Sequence, residues 1–131
     1  LLKGQALYRQ KKFKEAIAVF SVFQENEKEQ GFNPMDNALI VFYKARCLAE
    51  INKNEEAITY FSHLLKNNPN AEASFQLAKI HAKLKQTKKA LSLLDEAEIA
   101  LAKGFSFKEP YFERFDKVFQ HQIDDLREDL R

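Results

Sequence analysis

Apolar residues recur along this chain at helical steps and stop at short polar breaks. Ala16, Ile17, Phe20 and Phe23 fall along one side of a helix, as do Ala38, Val41, Phe42, Ala45 and Leu48, the spacing of a single buried stripe. The pattern predicts a helix tail over residues 1–10, a turn at Lys11–Lys12, and a helix from Phe13 to about Glu29 stopped by Gly31 and Pro34. A third helix is expected over Asp36–Ile51, followed by a tight turn around Asn52–Asn54. Asn54 then caps a fourth, with Glu55 and Glu56 at its positive end. Asn68 and Pro69 break the chain, Asn70 caps a helix over 71–84, Thr87 caps another over 88–103, and Gly104 ends it. Beyond the connector GFSFKE, Pro110 opens a last helix to about Leu130, whose Phe112, Phe115, Phe119, Ile123, Leu126 and Leu130 form one apolar stripe among charges.

A second regularity organises these helices into pairs. Gly4 and Ala16, Ala45 and Ala57, and Ala78 and Ala90 are each twelve residues apart. Small residues at that interval let two helices of a hairpin approach closely. Phe20, Phe61 and Leu94, four residues further on, fill the gap between neighbouring hairpins. From Ala45 to Ala78 the step is 33 residues, and from Gly4 to Ala45 it is 41. The longer step gives the first pair about two extra turns in its second helix.

Charge and candidate chemistry narrow the picture. A net charge of +2 from 21 basic and 19 acidic residues carries no global field toward nucleic acid or membrane. No apolar run approaches the roughly 18 residues of a membrane span. The single cysteine, Cys47, excludes an internal disulfide, fits a reducing compartment such as the cytoplasm, and reads as a buried structural thiol. His63, His81 and His121 are scattered over different helices and offer no metal-ligand spacing. Asp124, Asp125, Glu128 and Asp129 read as solvated partners of Arg127 and Arg131. No glycine-rich phosphate loop or nucleophile motif exists among three scattered glycines. The expectation is a chain without catalysis, cofactor or metal. It opens at Leu1, mid-pattern, as a fragment of a longer protein would.

The spacing of Ala45, Ala57, Phe61 and Pro69, repeated by Ala78, Ala90, Leu94 and Ala97 and by Gly4, Ala16 and Phe20, resembles the tetratricopeptide repeat, a helix–turn–helix unit of about 34 residues. Lys3 and Lys44 stand where that family carries Leu, and Phe23 where it carries a small residue. The resemblance implies a single all-α domain, a right-handed superhelical array of three hairpins: repeat one over 1–33, truncated at its start, repeat two over 36–69, and repeat three over 71–104. A C-terminal capping helix over 109–130 would cover the last hairpin. It also implies an adaptor whose concave groove, lined by the first helix of each pair, holds a partner peptide or helix. Carried over by position, the groove residues are Tyr8, Arg9, Phe42, Arg46, Phe75, Lys79 and Lys83.

An aromatic floor with a basic rim would suit an acidic, partly apolar protein segment. Phe42 and Phe75 fit a core between hairpins equally well. A clamp for chaperone tails needs Lys and Asn at these places and is not expected. The last helix serves either as a cover on its own chain or as a homodimer contact through 109–130. The runner-up function is a structural or regulatory segment of a larger multidomain protein, such as a bacterial regulator or sensor, controlling a domain outside this stretch.

Overall fold

The structure, a computed structural model, describes residues 1–31, 37–108 and 111–131. They form seven helices: α1 (Leu2–Arg9), α2 (Phe13–Glu29), α3 (Ala38–Glu50), α4 (Asn54–Asn67), α5 (Ala71–Lys83), α6 (Thr87–Ala102) and α7 (Gln120–Asp129). Among the described residues there is no strand. The all-α fold of serial hairpins followed by a C-terminal helix is therefore the fold the spacing predicts. The chain divides into two compact units, Leu1–His63 and Leu64–Arg131.

The three hairpin turns share one backbone solution. Lys11, Asn52 and Lys85 all take left-handed backbone, at φ 62°, 63° and 64°. In each turn that residue donates its N–H to the carbonyl three back (Tyr8, Ala49, Ala82), and the next residue donates to the carbonyl five back (Leu7, Leu48, His81), all at 2.8–3.1 Å. These bonds satisfy carbonyls that a helix end leaves without partners. The turn is thus written in main-chain geometry, and non-glycine residues tolerate it. The glycines that end α2 and α6, Gly31 (φ 88°) and Gly104 (φ 76°), meet the same need without a Cβ.

In the first unit the close approach of helices centres on Gly4. A Cβ there would run into the Phe20 ring, so the ring of α2 occupies the space that glycine leaves on α1. Ala16, Ala45 and Ala57 are fully buried. Tyr43 anchors the core, with its ring 5.7 Å from Tyr8, 6.5 Å from Phe20 and 5.5 Å from Phe42. Phe42 packs edge-on against Phe61 at 5.7 Å, joining α3 to α4. Lys44, standing where the family carries Leu, donates to Gln24 Oε1 (2.7 Å) and to the Tyr60 hydroxyl (3.1 Å). A polar knot thereby joins α2, α3 and α4.

In the second unit α5 and α6 enclose Ala71, Phe75, Ala78, Leu94, Ala97 and Ala100, and the C-terminal segment adds Val118 and Ile123 to the same cluster. Asn70 caps α5, its side-chain oxygen accepting from Ala73 N at 2.8 Å. Asn37 does the same for α3, accepting from Ile40 N at 3.2 Å.

Three expectations are corrected. Asn54 and Thr87 are not caps but the first residues of α4 and α6, because the turns place Lys53 and Gln86 at the boundary. Pro34, Asp36, Glu109 and Pro110 lie outside the described residues. Of the helix expected over 109–130, the described residues from 111 on are helical only from Gln120, preceded by a single 3-10 turn at Arg114–Asp116. Extended backbone at Glu113 (ψ 143°) and Lys117 (ψ 142°) brackets that turn.

The cause of that departure is Glu72, in the first turn of α5 and only 1% exposed. One carboxylate oxygen accepts from Phe107 N at 2.9 Å and the other from Val118 N at 3.0 Å. Just before, Phe105 O accepts from Ala71 N at 2.8 Å, capping α5 from the far end of the chain. Residues 105–108 and 111–119 are so held as a strap, and the main-chain donors of Phe107 and Val118 are spent on Glu72 rather than on a helix. Burial raises the Glu72 carboxyl above its ordinary value, against the opposing pull of the Val118 and Phe107 N–H groups and of Lys117.

The expected stripe is consequently split. Phe112 turns inward and stacks on Phe107 at 4.9 Å. Phe115 and Phe119 are 85% and 45% exposed, while Ile123, with Leu126 and Leu130, packs on the cluster of the second unit. Arg127 fastens α7 to α6 through Asp95 (2.9 Å) and Glu98 (3.3 Å). It also pairs with Asp124 at 3.5 Å along its own helix.

Candidate functional site

Of the seven residues that the resemblance singles out, six fall into two patches, one in each unit, and Phe42 falls in neither. In the first unit Tyr8 is the centre. Its ring is 8% exposed, tilted against Phe13 at 5.9 Å and edge-on to Tyr43. The guanidinium carbons of Arg9 and Arg46 each lie 5.3 Å from the Tyr8 ring centre. Arg9 comes from the end of α1 and Arg46 from the middle of α3, so the aromatic ring gathers two cations from two helices. Each such contact contributes about 0.5–1 kcal/mol at an exposed site. Beside them Tyr8, Arg9, Lys11, Phe13 and Glu50 line a depression of about 230 Å³. Arg46 is half-buried and Arg9 exposed.

Phe42 is not part of this surface. It is fully buried between Tyr43 and Phe61, which gives it the core role that its spacing also allowed. Cys47, on the same helix, is buried as well; desolvation pushes its thiol up to about 12, Arg46 lowers it and Glu50 adds to the rise. At neutral pH it carries no thiolate and no nucleophile.

In the second unit Phe75 is 7% exposed and belongs to the cluster between α5 and α6. Lys79, one turn further along α5, sets its ammonium 5.8 Å from the Phe75 ring centre. Lys83 follows another turn along, exposed. Phe75 thus offers one edge beneath a lysine rather than an open aromatic floor.

A separate depression of about 220 Å³ in the same unit is lined by Leu65, Pro69, Ile99 and Phe105, with Glu96 and Lys103 also on its wall. Among the described residues no group of three or more His, Cys, Asp or Glu side chains is placed to hold a metal ion. No described helix is long and apolar enough to cross a membrane.

Sequence reasoning missed Glu72. An acidic residue in the first turn of a helix reads as a partner of the helix dipole. Nothing local announces that its oxygens are claimed by N–H groups 35 and 46 residues away. The gathering of Arg9 and Arg46 on one ring was likewise illegible, although each residue was singled out.

A family model described as the tetratricopeptide repeat matches residues 44–104, from the middle of α3 to the glycine that ends α6. No curated protein matches the chain at a significant level.

Proposed function

We propose that this chain, a tetratricopeptide repeat protein by its match over residues 44–104, is a non-catalytic adaptor that holds an acidic, partly apolar segment of a protein partner on its first-of-pair helices. Protein–protein interaction is the general role of such repeats. The acidic ligand is the finer reading.

The observation that carries it is the pair of guanidiniums on Tyr8. Arg9 and Arg46 both lie 5.3 Å from that ring centre, and the planar guanidinium is the group whose geometry matches a carboxylate bidentately. Glu50 and Lys11 at the edge of the depression favour a ligand with spaced rather than continuous negative charge. Lys79 over Phe75, with Lys83 beyond, repeats the combination of cation and ring on α5. Phe42 supports α3 from beneath.

The test is capture of peptides from a randomised pool by the wild-type chain and by Arg9→Ala/Arg46→Ala. Enrichment of Asp- and Glu-containing peptides is expected for the wild type. The double variant should lose at least about tenfold in affinity, or roughly 1.4 kcal/mol, with unchanged helical circular dichroism. Equal binding by both proteins, or enrichment without acidic residues, rejects the reading.

A further inference from the structure

The second unit is electrically polarised. Around the turn from α5 to α6, residues 79–89 hold five lysines, Lys79, Lys83, Lys85, Lys88 and Lys89, and no acidic residue. All five are exposed, and Leu84 stands among them 39% exposed. The outer face of α7 has the opposite sign. Asp124, Asp125, Glu128 and Asp129 are exposed there. The one basic residue inside that helix, Arg127, is drawn inward to Asp95 and Glu98. Immediately before α7 the strap displays Phe115 and Phe119, 85% and 45% exposed. Among the described residues neither Lys85, Lys88 and Lys89 nor Asp125, Glu128 and Asp129 enter an ion pair.

We propose that the acidic face of α7, with Phe115 and Phe119 beside it, docks on the lysine-rich turn between α5 and α6 of a second copy of this chain. Three features commit the surface to that occupant. The two patches are complementary in charge, and every copy carries one of each. Each also has an exposed apolar residue beside its charges, Leu84 in one and Phe119 in the other, as an anchor beside a polar rim would require. The contact joins unlike surfaces, so each copy keeps a free patch of either sign and addition continues head to tail. It shares Lys79 and Lys83 with the reading above, but the lysines varied in its test, Lys85, Lys88 and Lys89, lie outside that reading, so the two are tested apart.

Sedimentation velocity tests it on the wild type and two charge-reversed variants, Lys85→Glu/Lys88→Glu/Lys89→Glu and Asp125→Lys/Glu128→Lys/Asp129→Lys, each checked for native helicity. At about 20 mM salt the wild type should show a weight-average mass that at least doubles with concentration, reverting to the monomer at about 0.5 M salt, where screening is within a few ångströms. Each variant alone should stay monomeric, since its two patches then share one sign. An equimolar mixture of the two should associate again, because each supplies the sign the other lacks. Three results overturn the proposal. One is a wild type monomeric up to about 1 mM, which leaves both faces to other proteins. Another is a lysine variant that still self-associates, which assigns the contact to α7 against α7. The third is a mixture that fails to associate.

Discussion

The α5–α6 hairpin and the strap that follows it occupy the same unit, yet their conformations are fixed by different means. The hairpin is set locally. A left-handed Lys85, two short main-chain hydrogen bonds and a fully buried pair of alanines, Ala78 and Ala90, all lie within the stretch they shape. The strap has no such local code. Residues 105–108 and 111–119 follow no repeat, and they are held by the Glu72 carboxylate, which accepts from Phe107 N in the first stretch and Val118 N in the second. Where a chain repeats, near-neighbour geometry suffices; where it ends, one buried polar group supplies the register.

Removing that group should produce the largest effect. Glu72→Ala leaves the Phe107 and Val118 N–H groups without their partner, and loss of two hydrogen bonds to a charged acceptor should cost about 3 kcal/mol. Urea unfolding measures it, and limited proteolysis should show new cleavage within 105–119 while the hairpins remain helical. A loss below about 1 kcal/mol would mean that apolar contacts hold the strap and that the contrast is overdrawn.

Next comes a locally coded contact. Gly4→Ala puts a Cβ into the Phe20 ring, and displacement of a packed ring should cost about 1–3 kcal/mol. A near-neutral result by thermal melting would show that α1 shifts freely on α2.

Smaller still is the turn itself. Lys85→Gly removes the strain of a side chain at φ 64° but loosens the unfolded chain, for a net gain of about 0.5 kcal/mol, whereas Lys85→Val should lose about 1–2 kcal/mol. Equal stability of the two variants would show that the turn is not set by backbone handedness.

The smallest difference is in pH dependence. Folded Glu72 holds its proton more tightly than the unfolded chain does. Its favourable contribution is therefore complete below the ordinary value of 4.5 and is lost as pH rises through the folded value. The stability of the wild type minus that of Glu72→Gln should accordingly decline as pH rises above the ordinary value of 4.5. A difference that rises instead would show that the carboxylate, not the acid, is the better fit for the strap.

Much of the fold was legible because its determinants are periodic. Gly4, Ala16, Ala45, Ala57, Ala78 and Ala90 mark the close contacts by size alone, and all are buried. Helix ends were less legible. A turn whose hydrogen bonds run between main-chain atoms leaves no signature in side chains, so Asn54 and Thr87 looked like caps when they are first helical residues. The strap was illegible for the opposite reason. The apolar steps of Phe112, Phe115 and Phe119 suit a helix, and only a carboxylate distant in sequence draws the main chain out of it. Of the candidate surface, Tyr8, Arg9 and Arg46 come together, whereas Phe42 sinks into the core. Helical position tells which side a ring faces, not how deep it lies.

The lysine at position 44 carries one further consequence. It ties Gln24 and Tyr60 together in a spot where a greasy side chain would ordinarily sit, and hydrogen bonds, unlike oily contacts, demand particular partners. A hairpin transplanted here from another repeat would arrive without the matching amide or phenol and leave an ammonium stranded. Within the first unit the two hairpins are therefore matched to each other by chemistry as well as by connectivity.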